Sequence, residues 1–129
     1  MIRILLADAN PDERSAFRLM LQDLRVKDVR EATDWHSALS EATTIQPDLI
    51  LVDFDLLPED AETAMDSLRK VCPGIAVLLL FNRLDPRWPG HRTLDVEGLL
   101  SKDDSSEIVF ERLSAMVRSL NSGELKEKT

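Results

Sequence analysis

Two hydrophobic periods alternate along the chain. IRILLA (2–7), LILVD (49–53) and IAVLLLF (75–81) are short, nearly continuous apolar runs. Runs of this kind predict strands covered on both faces. Between them, apolar residues recur every three or four positions, which predicts helices with one buried face. After the first strand, Asn10 is a suitable N-cap, Pro11 fits the first helical position, and Glu13 stands three past the cap as a capping box requires. Phe17, Met20, Leu21 and Leu24 form the inward face of that helix. VKDVREA (26–32) alternates and predicts a shorter, more exposed strand.

Asp34 predicts the cap of a second helix, with Trp35, Ala38, Leu39, Ala42 and Ile45 inward and Pro47 ending it. A third helix is expected from Glu59 to Cys72, closed by Pro73 and Gly74. VEGLLS (96–101) predicts a fifth strand, and a last helix is expected from Asp104 to Leu120. Between strands four and five, NRLDPRWPGHRTLDVEG holds Pro86, Pro89 and Gly90 within five residues. An interior proline costs a helix about 3 kcal/mol, so a helix there is expected to be short or disrupted.

Five strands, each followed by a helical segment, predict an α/β fold: a doubly wound, five-stranded parallel sheet with helices on both faces. One domain is expected over residues 1–121, with a polar tail or linker stub over 122–129. The chain of 129 residues, 43% hydrophobic and 31% charged, can bury a real core. Its net charge of −8 argues against direct binding to nucleic acid or to an anionic membrane. No apolar run is long enough to span a bilayer, and Asp8 interrupts any signal-peptide core, so a cytoplasmic protein is expected. Cys72 is the only cysteine, which excludes an internal disulfide and a thiolate metal cluster and predicts a buried structural thiol. His36 and His91 read as surface residues.

In doubly wound sheets, chemistry gathers at the carboxyl ends of the strands. Those ends carry Asp8, Asp53, the Phe81–Asn82 pair, and the Ser101–Lys102 pair. Two carboxylates and a lysine therefore share one rim.

RILLAD, PDLILVD and GLLSKDDS, in that order, with Asp8 and Asp53 spaced as they are, resemble the receiver domain of bacterial two-component response regulators. The resemblance covers nearly the whole chain. It implies the flavodoxin-like strand order 2-1-3-4-5. It also implies that Asp53 is the phosphoacceptor, charged by a sensor histidine kinase or another signalling protein. By the same resemblance Lys102 contacts the aspartate or its phosphate, and magnesium is held by Asp8, Asp53 and the Asp55 position. Phosphoryl transfer is largely positioning and charge stabilisation, so cations beside such a carboxylate are a chemical requirement.

The chain also departs from the family pattern. Ala9 stands where a second acid usually ligates the metal, so metal binding is expected to be weak. Leu80 and Phe81 lack the hydroxyl usual at the end of strand four, and Leu99 replaces the aromatic switch residue of strand five. These losses predict poor phosphorylation with little conformational response. They leave a second reading, a pseudo-receiver kept as a phosphorylation-independent interaction module. Trp88 is either a lid on the sheet edge or an exposed anchor for a partner or a homodimer. A third reading is a haloacid-dehalogenase-type phosphatase, which the D-x-D of VDFDLL resembles. No enzymatic activity is expected; failure to hydrolyse a phosphomonoester with magnesium would dispose of that third reading.

Overall fold

The computed structural model describes residues 1–86 and 94–123. Five parallel strands form one sheet: β1 (Arg3–Ala7), β2 (Asp28–Ala32), β3 (Leu49–Asp53), β4 (Ala76–Phe81) and β5 (Gly98–Ser101). Their order is β2-β1-β3-β4-β5, the expected doubly wound arrangement, so β2 and β5 are the edges. The helices are α1 (Pro11–Asp23), α2 (Trp35–Ile45), α3 (Ala61–Val71) and α4 (Ser106–Ser122), with a short 3-10 turn at Phe54–Leu56.

The period of two along each strand divides the core into two layers. Leu5, Ile50, Val52, Val77 and Leu79 face α2 and α3, where they meet Ala38, Ala42, Ala64, Met65 and Leu68. Ile4, Leu6, Leu51, Leu78 and Leu80 face the opposite way, toward Phe17 and Leu21 of α1 and Val109, Leu113 and Val117 of α4. Small residues on α2 and α3 let those helices approach the sheet closely. β3 and β4 are buried along their whole length, which is why they read as unbroken apolar runs. Edge strand β2 is half exposed and reads as alternating.

Local chemistry sets the helix ends. Asn10 caps α1 by accepting from the backbone N–H groups of Asp12 and Glu13. The expected capping box is only half formed, because the Asn10 N–H donates to Asp8 Oδ1 at 2.9 Å instead of to Glu13. Asp34 and Ser37 form a complete capping box on α2. That helix ends at left-handed Gln46 (φ 50°), whose side-chain amide donates to the carbonyls of Ala42, Thr43 and Val71. α3 begins later than the sequence predicts, since Asp60 accepts from the Thr63 N–H at 3.0 Å and so serves as its cap. α4 runs past Leu120 to Ser122 and closes on Gly123 at φ 80°, so Asn121 and Ser122 are helical.

Between β4 and β5, none of the described residues is helical, in keeping with the proline density there. Trp88 and His91 lie outside the described residues. Cys72 is buried, and its thiol donates to the Pro47 carbonyl at 3.5 Å, as a structural thiol would. His36 is exposed.

Candidate functional site

Three strand ends build the site. Asp8 follows β1 and is fixed by its own N–H, which donates to Ala32 O at 3.1 Å. Asp53 is the last residue of β3, and Lys102 follows β5 with its N–H donated to Phe81 O at 2.8 Å. Hydrogen bonds to neighbouring strands thus hold all three backbones, and the side chains converge on the rim. Asp8 and Asp53 are among the few buried polar residues, 3% and 6% exposed.

Lys102 Nζ donates to Asp53 Oδ2 at 2.5 Å and lies 2.9 Å from Glu13 Oε2. The other Asp53 oxygen accepts from the Asp55 N–H at 3.0 Å. Asp8, Glu13 and Asp53 each bring a carboxylate oxygen within 4.8 Å of the others. Asp55 is exposed and is not among the carboxylates that converge. The third carboxylate comes from the first turn of α1. Sequence reasoning missed Glu13 here, having given it to the cap. The residue spacing carries no signal for this: Glu13 is released because Asp8 Oδ1 takes the Asn10 N–H that a capping box would give it.

Three carboxylates facing one ammonium leave the site short of positive charge. Burial, then hydrogen bonding with Glu13 and the nearby charges of Asp53 and Glu13, pushes the Asp8 carboxyl up to about 7, against the lowering effect of the Asn10 N–H. Burial works to raise Glu13 as well, but hydrogen bonding with Asp8 and contact with Lys102 hold it below the usual carboxylate range. Burial works to lower Lys102, yet Asp53, Glu13 and Asp8 hold the ammonium well above its ordinary value, so it stays charged. Asp8 Oδ2 is buried and accepts no hydrogen bond from any described residue, while Glu13 Oε2 has only the Lys102 ammonium at 2.9 Å. An orphaned carboxylate oxygen beside two further acids suits a hard cation with oxygen ligands, so these residues fit magnesium.

Leu80 pairs in register with Asp53 and is fully buried. With Phe17, Leu100 and Val109 it lines an apolar cavity of about 140 Å³ that also touches Glu13 and Lys102. Phe81 is nearly buried in the layer under α3, and Leu99 is 36% exposed on the edge strand. None of these three side chains can hydrogen-bond a phosphate.

No protein-family model matches the sequence. No curated protein matches it either. Solved structures do. The REC domain of AraT, a response regulator from Geobacillus stearothermophilus, superposes with a TM-score of 0.75 at 21% identity, covering 95% of this chain and 97% of that one. The chemotaxis response regulator CheY4 of Vibrio cholerae gives 0.72 at 21% identity, over 89% of this chain and 98% of that one. The isolated REC domain of RcsB from Salmonella enterica serovar Typhimurium gives 0.73 at 16% identity, over 91% and 88%. Strand order, layering and these superpositions agree: the chain has the receiver-domain fold of response regulators.

Proposed function

We propose that the chain is a receiver module in phosphorelay signalling, with Asp53 as the phosphoacceptor. The observation that carries this reading is the direct contact of Lys102 with Asp53 at the carboxyl end of β3, beside the acids Asp8 and Glu13. In the reaction, an Asp53 oxygen forms a bond to phosphorus as the bond from phosphorus to the donor's imidazole nitrogen breaks. The imidazole leaves with the electron pair. Lys102 supplies a fixed positive charge where phosphoryl oxygens would gather, and Arg14, which donates to Asp8 O at 2.8 Å, holds the β1 end in place. Magnesium, held by Asp8, Asp53 and a neighbouring oxygen ligand, would supply the remaining charge neutralisation. The partners are a sensor histidine kinase or another signalling protein in the cytoplasm, and a homodimer is compatible with the fold.

A second reading, the pseudo-receiver, is favoured by Leu80, Phe81 and Leu99. A phosphate shifts an equilibrium only by its differential contacts with two states. With no hydroxyl on β4 and no switch aromatic on β5, few such contacts exist. The exposed Asp55, away from the converging carboxylates, gives no support to a D-x-D phosphatase. The test is beryllofluoride with magnesium, followed by amide spectra of the chain and of Asp53→Asn. Modification at Asp53 with shifts confined to its neighbours is expected. Stoichiometric modification with large shifts across β4 and β5 would mark an ordinary switch, and no Asp53-dependent shift would leave only the pseudo-receiver.

A further inference from the structure

The geometry points to Glu13 as the third carboxylate of a divalent-cation site, in place of the acid that Ala9 lacks. This deepens the receiver reading of the same site, yet it can be tested without any phosphoryl donor. Ala9 lies in the link between β1 and α1, and Glu13 stands in the first turn of α1, beside the strand end. There it joins Asp8 and Asp53, with oxygens mutually within 4.8 Å.

Other candidates for the vacant role are committed elsewhere. The Asn10 side-chain oxygen accepts from Asp12 and Glu13 N–H groups, and Asp55 is exposed. Asp8 supplies an independent sign of a ligand. It is 3% exposed, its Oδ1 takes the Asn10 N–H, and its Oδ2 is buried without a donor. Asp8 and Glu13 each bring a carboxylate oxygen within 4.8 Å of the other. A cation seated between them would give Asp8 Oδ2 the partner it lacks. Magnesium and manganese(II) are hard ions that take oxygen ligands and keep several waters, and three protein oxygens are enough.

Lys102 then acts as a placeholder. It bridges Asp53 and Glu13, 2.5 Å from one and 2.9 Å from the other. A cation that takes up the Glu13 oxygen frees the ammonium from that partner and leaves it to Asp53 alone. Cation loading and the release of Lys102 from α1 are one event.

The experiment is a magnesium titration of the full chain, without phosphodonor, followed by calorimetry and amide shifts. Glu13→Gln is expected to weaken binding at least about tenfold, the size usual when a metal site loses a partner. Glu13→Asp keeps the charge but withdraws the oxygen by one methylene, and should weaken binding as well. Ala9→Asp should restore affinity in the Glu13→Gln background and change the parent protein less. Manganese(II) should broaden amides around Asp8, Glu13 and Asp53 together. The inference is overturned if Glu13→Gln binds within about twofold of the parent, or if Glu13→Asp binds as well as the parent, which would reduce Glu13 to a general charge. Absence of modification of Asp53 by beryllofluoride, with magnesium affinity still dependent on Glu13, would sink the phosphoacceptor reading and leave this one standing.

Discussion

Lys102 Nζ and Asp53 Oδ2 stand 2.5 Å apart, in a pair whose side chains are 22% and 8% exposed. Breaking such a pair from one side strands a buried charge, and here the stranded Asp53 also faces two more acids. Lys102→Met is expected to destabilise the metal-free protein by roughly 2 kcal/mol, discounted from the fully buried case because the lysine keeps some access to water. Asp53→Asn/Lys102→Met should recover part of that loss. Chemical denaturation of the single and double variants measures the cycle, and strict additivity would show that the pair contributes nothing.

Asp8 should make the metal-free protein more stable at mildly acidic pH. Its carboxyl, held up to about 7 chiefly by burial, binds its proton more tightly folded than unfolded. The resulting stability is fully present below the ordinary carboxylate range and is lost as pH rises through about 7. Asp8→Asn removes that dependence and gives Glu13 a donor. We expect it to stabilise the protein by about 1–2 kcal/mol at pH 8 and less at pH 6. Tm measured across this range without metal provides the check, and an equal gain at both pH values would show that Asp8 does not titrate there. For the same reason, magnesium should bind more weakly as pH falls below about 7, because the ion needs the ionised carboxylate.

Gly123 at φ 80° closes α4, with its N–H donated to Leu120 O at 3.2 Å. Gly123→Ala must adopt a left-handed conformation that a Cβ disfavours, and is expected to cost about 1 kcal/mol. No described residue lies within 4 Å of a Cβ at this position, so a loss measured by thermal unfolding reports backbone strain.

Gln46 links two helices through one amide. Its Nε2 donates to Ala42 O and Thr43 O on α2 and to Val71 O at the end of α3. Gln46→Gly relieves the left-handed backbone (φ 50°) but loses all three bonds, and the bonds should win by about 1 kcal/mol. Slower or unchanged amide exchange at the α2 and α3 ends in that variant would contradict this account.

The sheet was legible because each central strand is buried on both faces, which leaves an unbroken apolar run such as AVLLLF. The rim of Asp8, Asp53 and Lys102 was legible too, since parallel strands place their carboxyl ends together. What escaped was Glu13. A helical residue three past a cap ordinarily turns back to the cap N–H, and only the Asp8 carboxylate, which takes the Asn10 N–H first, releases it. That competition depends on where β1 ends relative to α1 in space, which residue spacing does not encode. The starts of α3 and the end of α4 were misjudged by one or two residues for a smaller reason. Side-chain caps at Asp60 and Gly123 compete with equally plausible neighbours.

The two edges of the sheet bear on assembly. β2 carries Asp28, paired with Arg3 and Arg30, and Glu31, paired with Arg14 and Arg18, and β5 is only four residues long. Charged or very short edges resist the addition of another chain's strand. Fusion of two copies into one continuous sheet is thus disfavoured, which points self-association toward helical faces or loops, where it can be reversed without disturbing the strands that hold Asp53.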